Sequence, residues 1–224
     1  MDYYFITGSS SGIGKALSEK ILEDGQAQVT GIARRQTIEH ERYHHLTADL
    51  SDPQVMKQFV FEPLKNADSI TLVNNAGTLG DIKPNGQMDN EAIVHSYMLN
   101  LAAPHVLSNL FMKAYQDFKG KKVILSTSSG AAHHTVPSWS TYCGSKAGLD
   151  MVSRVMQEEQ KTQGSGFYIF SVAPGIIDTP MQSTIRSTSK ADFPGVDRFV
   201  ELWENNELVS PQQVAASFLD IIKK

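Results

Sequence analysis

Tyr142 and Lys146 stand four residues apart in Thr141-Tyr142-Cys143-Gly144-Ser145-Lys146, a spacing that puts both side chains on one face of a helix. An ammonium beside a phenol favours the phenolate and draws the tyrosine pKa below its usual value of about 10. A phenol tuned towards neutral pH is a good proton donor to an oxygen that gains negative charge during reaction. Alone, a Tyr-x-x-x-Lys pair is most often an ordinary feature of a helix surface. A second signature lies near the start of the chain, where Gly8-Ser9-Ser10-Ser11-Gly12-Ile13-Gly14 joins an apolar run to a segment with helical spacing. Glycines there let the backbone turn sharply and approach a pyrophosphate, while free N–H groups at the helix start face the anion.

Two competing motifs overlap this region, and a third lies further along the chain. Gly8-Ser9-Ser10-Ser11-Gly12 also fits the G-x-S-x-G elbow of α/β-hydrolases, but only one strand precedes it, whereas that elbow follows several. Gly14-Lys15 has the end of a Walker loop, yet Ser9 stands where its first glycine belongs and Ala16 lacks the hydroxyl that magnesium requires. His40-Glu41-Arg42-Tyr43-His44 is a literal H-E-x-x-H. It sits in a short connection running into a strand, not on the stable helix that zinc chemistry needs. The following apolar run ends Gly31-Ile32-Ala33-Arg34-Arg35. A nucleotide with a free ribose 2′-hydroxyl would call for an acidic residue there. Two arginines suit a 2′-phosphate instead, so NADPH is expected ahead of NAD.

The elements that must position these groups alternate along the chain. Candidate strands span 3–7, 28–32, 45–49, 70–73, 122–126 and 167–172, each rich in β-branched or aromatic residues. Helical spacing runs from Ile13 through Ala16, Leu17 and Ile21 until Asp24-Gly25, then over 99–118 and 143–160. A last helix is expected over 212–222, with Ser210 as N-cap and Pro211 opening it. Strands separated by helices pair in parallel through right-handed crossovers. The expected fold is α/β, a doubly wound parallel sheet with helices on both faces (a Rossmann fold), in a single domain over 1–224. The Ser-, Thr- and Pro-rich stretch after the sixth strand is expected to form a substrate lid over about 176–205.

Composition narrows the partners. The 224 residues carry 20 Lys and Arg against 24 Asp and Glu, a net charge of −4 with no long basic run, so nucleic acid is not an expected partner. No apolar run approaches the ~20 residues of a membrane span. The chain enters an apolar stretch at once, which argues against a signal peptide. A single cysteine, Cys143, forms no internal disulfide. A cytoplasmic globular protein acting on a small molecule is expected.

Taken together, Thr7–Gly14, Asn74-Asn75-Ala76-Gly77, Asn100, Ser129, Tyr142-Cys143-Gly144-Ser145-Lys146, Pro174-Gly175 and Thr179 resemble the short-chain dehydrogenase/reductase family in order and spacing over essentially the whole chain. The resemblance implies that Tyr142 donates a proton to a substrate carbonyl while Ser129 hydrogen-bonds the same oxygen. Lys146 would bind the nicotinamide ribose, and Asn100 would organise a water relay towards Lys146. Gly8, Ser10, Ser11, Gly12, Ile13 and Gly14 would cradle the pyrophosphate, with Arg34 and Arg35 at the 2′-phosphate and Asp49 and Leu50 near the adenine. Asn75, Ala76 and Gly77 would line the cofactor cleft, and Pro174, Gly175, Ile177 and Thr179 would hold the nicotinamide amide. Asn74 would brace the sheet.

Within the family, Ser128-Ser129-Gly130-Ala131-Ala132, Trp139, Asp178-Thr179-Pro180-Met181-Gln182 and Asp197-Arg198-Phe199 look like the bacterial benzil reductase subgroup, itself similar to sepiapterin reductases. That likeness implies NADPH-dependent reduction of one carbonyl of an α-diketone, with metal playing no part. Leu79, Val136, Trp139, Met181, Phe193 and Trp203 are candidates to wall the substrate pocket, the bland reading being ordinary core packing. The family pattern adds a final strand, and sepiapterin reductases an acidic pterin anchor, after the last helix; neither is expected in Lys223-Lys224. A homodimer or homotetramer packed through helices 99–118 and 143–160 is implied. The alternatives are an NAD(P)-dependent alcohol dehydrogenase, a sepiapterin-type reductase, and a non-catalytic nucleotide sensor.

Overall fold

A computed structural model describes residues 1–64 and 67–224. Six strands, β1 (Asp2–Thr7), β2 (Ala27–Ala33), β3 (Tyr43–Thr47), β4 (Ser69–Asn74), β5 (Lys121–Thr127) and β6 (Phe167–Val172), form one sheet in the order β3-β2-β1-β4-β5-β6. Every pairing is parallel. The helices are α1 (Gly12–Glu23), α2 (Pro53–Gln58), α3 (Asn90–Tyr97), α4 (Ala103–Ala114), α5 (Ser140–Gln163), α6 (Pro180–Arg186), α7 (Val196–Glu204) and α8 (Pro211–Lys223). Alternation along β1 sends its side chains to opposite faces. Tyr4 and Ile6 join Leu17, Ile21 and Phe218 beneath α1 and α8, while Phe5 joins Leu72, Leu107 and Phe111 beneath α4 and α5. Both faces of the sheet are therefore covered, as parallel strands require.

The expected elements are present with shifted ends. The third strand begins two residues early, at Tyr43, and leaves Asp49 in the loop beyond it. The helix expected from residue 99 begins at Asn90, where Asp89 caps it by accepting from the Ala92 N–H (2.8 Å), and ends at Ala114. Between α3 and α4 the backbone widens into a π-helical turn over Met98–Ala102 that carries Asn100. Helix α5 runs longer than expected and stops at Gly164, whose φ of 64° is left-handed. Helix α8 has the expected Ser210 cap, completed by Gln213 into a reciprocal pair.

Where a lid was expected, residues 178–208 form a helical insertion rather than irregular chain. Its two ends are stitched together, with the Asp178 N–H donating to Val209 O (3.0 Å) and the Val209 N–H to Ile176 O (3.0 Å). Within it Ile185 of α6, Phe193 of the connecting loop, and Val196 and Phe199 of α7 form a third apolar cluster that packs on Trp139 and Tyr142. The order of strands reverses on either side of β1, so a crevice opens beyond the carboxyl ends of β1 and β4, lined on one side by α6 and Phe199. Among the described residues no helix is long and apolar enough to cross a membrane.

Candidate active site

At the carboxyl end of β1, Thr7 Oγ1 accepts the N–H groups of Asn75 (2.9 Å) and Ala76 (2.9 Å), locking the loop after β4 to β1. Gly8 follows with a φ of +69°, and a Cβ there would stand 2.9 Å from the Ala76 Cα. Gly14, in the first turn of α1, packs directly on the glycine loop, where a Cβ would meet Gly8 O at 2.4 Å. Ser11, at the N-cap, makes no side-chain capping bond, so the first-turn N–H groups of α1 stay free for an anion. Ser10, Ser11, Gly12 and Ile13 line a cavity of about 590 Å³. Arg34 and Arg35, exposed beyond β2, border its far end with Asp49 and Leu50. The Ser51 hydroxyl, donating to Asp49 Oδ1 at 2.5 Å, holds that carboxyl below its ordinary range, with a smaller contribution from the Arg34 charge.

The same cavity reaches Ser129, Tyr142, Lys146, Trp139, Leu79 and Met181. Ser129 opens a single 3-10 turn and its Oγ accepts the Ala131 N–H at 3.2 Å. Tyr142 and Lys146 lie on the buried face of α5, 7% and 4% exposed. The Lys146 Nζ donates to the Thr127 carbonyl at 2.7 Å and lies 5.8 Å from the centre of the Tyr142 ring. Burial draws the Lys146 ammonium down to about 8, against the opposing charge of Asp150. The expected depression of the Tyr142 phenol is corrected: burial pushes it above 10.0, and the Ser129 hydroxyl offsets this only in part. In a site this dry, the penalty on the phenolate outweighs the one hydrogen bond that favours it.

Most residues singled out in the sequence converge here, including Asn75, Ala76, Gly77, Pro174, Gly175, Ile177 and Thr179. Others stand behind the wall. Gly14 supports the loop from below. Asn100 is fully buried, its Oδ1 accepting from the Thr78 N–H (2.9 Å) and its Nδ2 donating to Thr78 O (2.8 Å) and Ser145 Oγ (3.1 Å). It thereby ties the loop after β4 to α5. Val136 packs on the lid cluster, outside the cavity lining. Phe193, 1% exposed, stacks on Trp139 at 5.3 Å inside that cluster, and Trp203 covers Arg186 on the outer side of the lid, half exposed. Asn74 donates to Ser108 Oγ (3.0 Å) and braces the sheet against α4. Three participants went unread in the sequence: the Thr127 carbonyl, which carries no side-chain signal, and Thr78 and Ser145, which acquire partners only on folding. The His40–His44 motif runs from a loop into β3, so its histidines share no helix face.

The short chain dehydrogenase family profile matches residues 3–190. The chain is 38% identical over 230 residues to the benzil reductase ((S)-benzoin forming) of Bacillus subtilis (strain 168), covering 100% of this chain and 94% of that protein. It is 34% identical over 238 residues to the protein of the same name from Bacillus cereus, with 100% and 94% covered. Among solved structures it is similar to that of the KRED1-Pglu enzyme, with a TM-score of 0.84 and 26% identity over 100% of this chain and 95% of that one. The glycine loop, the crevice at the strand reversal and the Ser129–Tyr142–Lys146 cluster thus sit in a chain that belongs to the short-chain dehydrogenase family.

Proposed function

We propose that this protein is an NADPH-dependent carbonyl reductase acting on one carbonyl of an α-diketone of benzil type. The observation that carries the reading is that a single cavity joins two exposed arginines and an uncapped glycine loop to Ser129, Tyr142 and Lys146 beneath an apolar lid. The site fits a phosphorylated dinucleotide. The loop has no Cβ where the backbone must come close, and Arg34 and Arg35 offer forked donors to a 2′-phosphate. Pro174, Gly175, Ile177 and Thr179 line the same cavity, and in this reading they hold the nicotinamide amide. A reduced nicotinamide, when bound, supplies the hydride. Tyr142 gives its hydroxyl proton to the carbonyl oxygen, so that C=O becomes CH–OH, and Ser129 holds that oxygen by a hydrogen bond. Lys146 holds the ribose and supplies positive charge beside Tyr142, and Asn100 keeps the Thr78 loop in register with α5. Leu79, Trp139 and Met181 exclude water from the reacting oxygen.

The decisive experiment is NADPH oxidation, followed by absorbance, against a panel of diketones, quinones and pterins. Aromatic α-diketones are expected to turn over fastest, and faster with NADPH than with NADH. Faster NAD-linked alcohol oxidation overturns the cofactor reading, and preferential turnover of sepiapterin overturns the substrate. Nucleotide binding without turnover of any carbonyl would instead mark a sensor. Val106 on α4 and Met151 and Val155 on α5 are exposed apolar side chains that support assembly as a homodimer or homotetramer through these helices. A monomer by light scattering would contradict that part.

A further inference from the structure

Asp150 lies one helical turn beyond Lys146 and is only 7% exposed. A carboxylate so buried persists only where its oxygens are satisfied. Its Oδ1 accepts from Ser171 Oγ on β6 at 2.5 Å, and its Oδ2 lies 3.0 Å from His133 Nε2. His133 closes the 3-10 turn that Ser129 opens. Three segments therefore meet on one carboxylate: the helix of Tyr142 and Lys146, the turn of Ser129, and the strand leading to Pro174.

The surroundings of Lys146 leave few other charges to balance it. From β5 it receives the neutral Thr127 carbonyl, and across Gly77 it faces the Asn100 amide. On α5 its titratable neighbours are Tyr142 and Asp150. The turn contributes His133, already paired with Asp150, and from α3 the Tyr97 hydroxyl packs against Gly144 on the same helix. We propose that Asp150, clamped by Ser171 and His133, is a positioning residue of this site. Its carboxylate is the counter-charge that keeps the Lys146 ammonium in place beside Tyr142, and the clamp fixes the Ser129 turn against α5. The proposal rests on the roles given to Tyr142 and Lys146 under the proposed function. Removing the negative charge lowers the Lys146 pKa further, since burial then acts unopposed.

Asp150→Asn keeps the shape and removes the charge, whereas Ser171→Ala loosens the clamp and leaves the charge; circular dichroism melting confirms that each variant folds. The first readout needs no activity: the lysine Cε resonance of Lys146 is titrated by NMR in nucleotide-free protein. Asp150→Asn is expected to move that titration down by ~1 pH unit, and Ser171→Ala to leave it in place. In kinetics at saturating NADPH, the alkaline limb of kcat/KM for a diketone should move down equally, a ~10-fold loss above the limb with activity retained below it. An unmoved Lys146 titration in Asp150→Asn overturns the proposal. So does an equal loss of activity in both variants at every pH, which would mark simple packing. If the wild type reduces no carbonyl, the functional reading fails, and the NMR titration still decides the role of Asp150.

Discussion

Replacing Lys146 by methionine isolates the free energy of burying its charge. Burial holds the ammonium at about 8 in the folded protein, while the unfolded chain returns it to 10.5. The unfolded state thus binds this proton more tightly, so the charge opposes folding. The penalty is fully present below pH ~8 and fades as pH rises towards the unfolded pKa. The gap between the two values corresponds to roughly 3 kcal/mol at neutral pH. Methionine removes that penalty, but it also removes the 2.7 Å hydrogen bond to the Thr127 carbonyl. A bond from a charged donor is worth ~1.5–3 kcal/mol, so the absolute stability of Lys146→Met changes little at pH ~7. The pH dependence is the diagnostic. Between pH ~7 and pH ~10 the stability of the variant relative to wild type should fall by roughly 2–3 kcal/mol, because only the wild type is relieved by losing a proton. Other groups titrating in this range are common to both proteins and cancel. Urea unfolding of both nucleotide-free proteins at the two pH values measures it. A difference constant within ~0.5 kcal/mol would refute a buried, penalised ammonium.

Four further outcomes test the remaining parts. Tyr142→Phe should lower kcat for ketone reduction at least ~10²-fold with NADPH affinity, read by fluorescence, unchanged; retained turnover would remove Tyr142 as the acid. Arg34→Ala should weaken NADPH binding ~10-fold and spare NADH, and equal losses in calorimetric titrations would show that Arg34 does not read the extra phosphate. Gly14→Ala drives a Cβ to 2.4 Å from Gly8 O, so the glycine loop and α1 must separate. Denaturant unfolding should then record a loss of ~1–3 kcal/mol, together with weaker nucleotide binding. Phe193→Ala removes a fully buried ring stacked on Trp139, an interaction set worth ~3–5 kcal/mol. The expected consequences are faster limited proteolysis within residues 178–208 and a higher KM for the ketone; neither changing would mean that the lid is not held there.

Sequence patterning reveals what periodicity encodes and loses what partners decide. The six strands were legible because β-branched and aromatic runs end in turn-forming residues, and the helices of 12–23, 140–163 and 211–223 because apolar residues recur along them. Helix α3 was not, since among its residues only Ser96 is buried and its start is fixed by one Asp89 cap. The helices of the expected lid segment were not legible because α6 is seven residues long and sits among serines and threonines, although Phe193, Val196 and Phe199 supply the segment with a core of its own. At the site, Tyr142 and Lys146 were visible at their spacing, and Ser129 through the resemblance to the family. The clamp on Asp150 was not, because Ser171 and His133 come from separate segments that only the closed sheet and turn bring to the helix.

The one electrostatic expectation that failed bears on the direction of catalysis. Sequence spacing suggested a phenol drawn towards neutrality by its lysine, a state suited to giving a proton. Burial instead raises the Tyr142 phenol and brings the Lys146 ammonium to about 8. Near pH ~7 both groups then hold their protons, the phenol firmly and the ammonium predominantly. Reduction of a ketone consumes a proton at oxygen, so it starts from the loaded phenol that the nucleotide-free site already holds. Alcohol oxidation would need the phenolate, which this dry pocket penalises. The resting site therefore already holds the proton that reduction consumes, and oxidative turnover relative to reductive turnover should rise as the pH is raised.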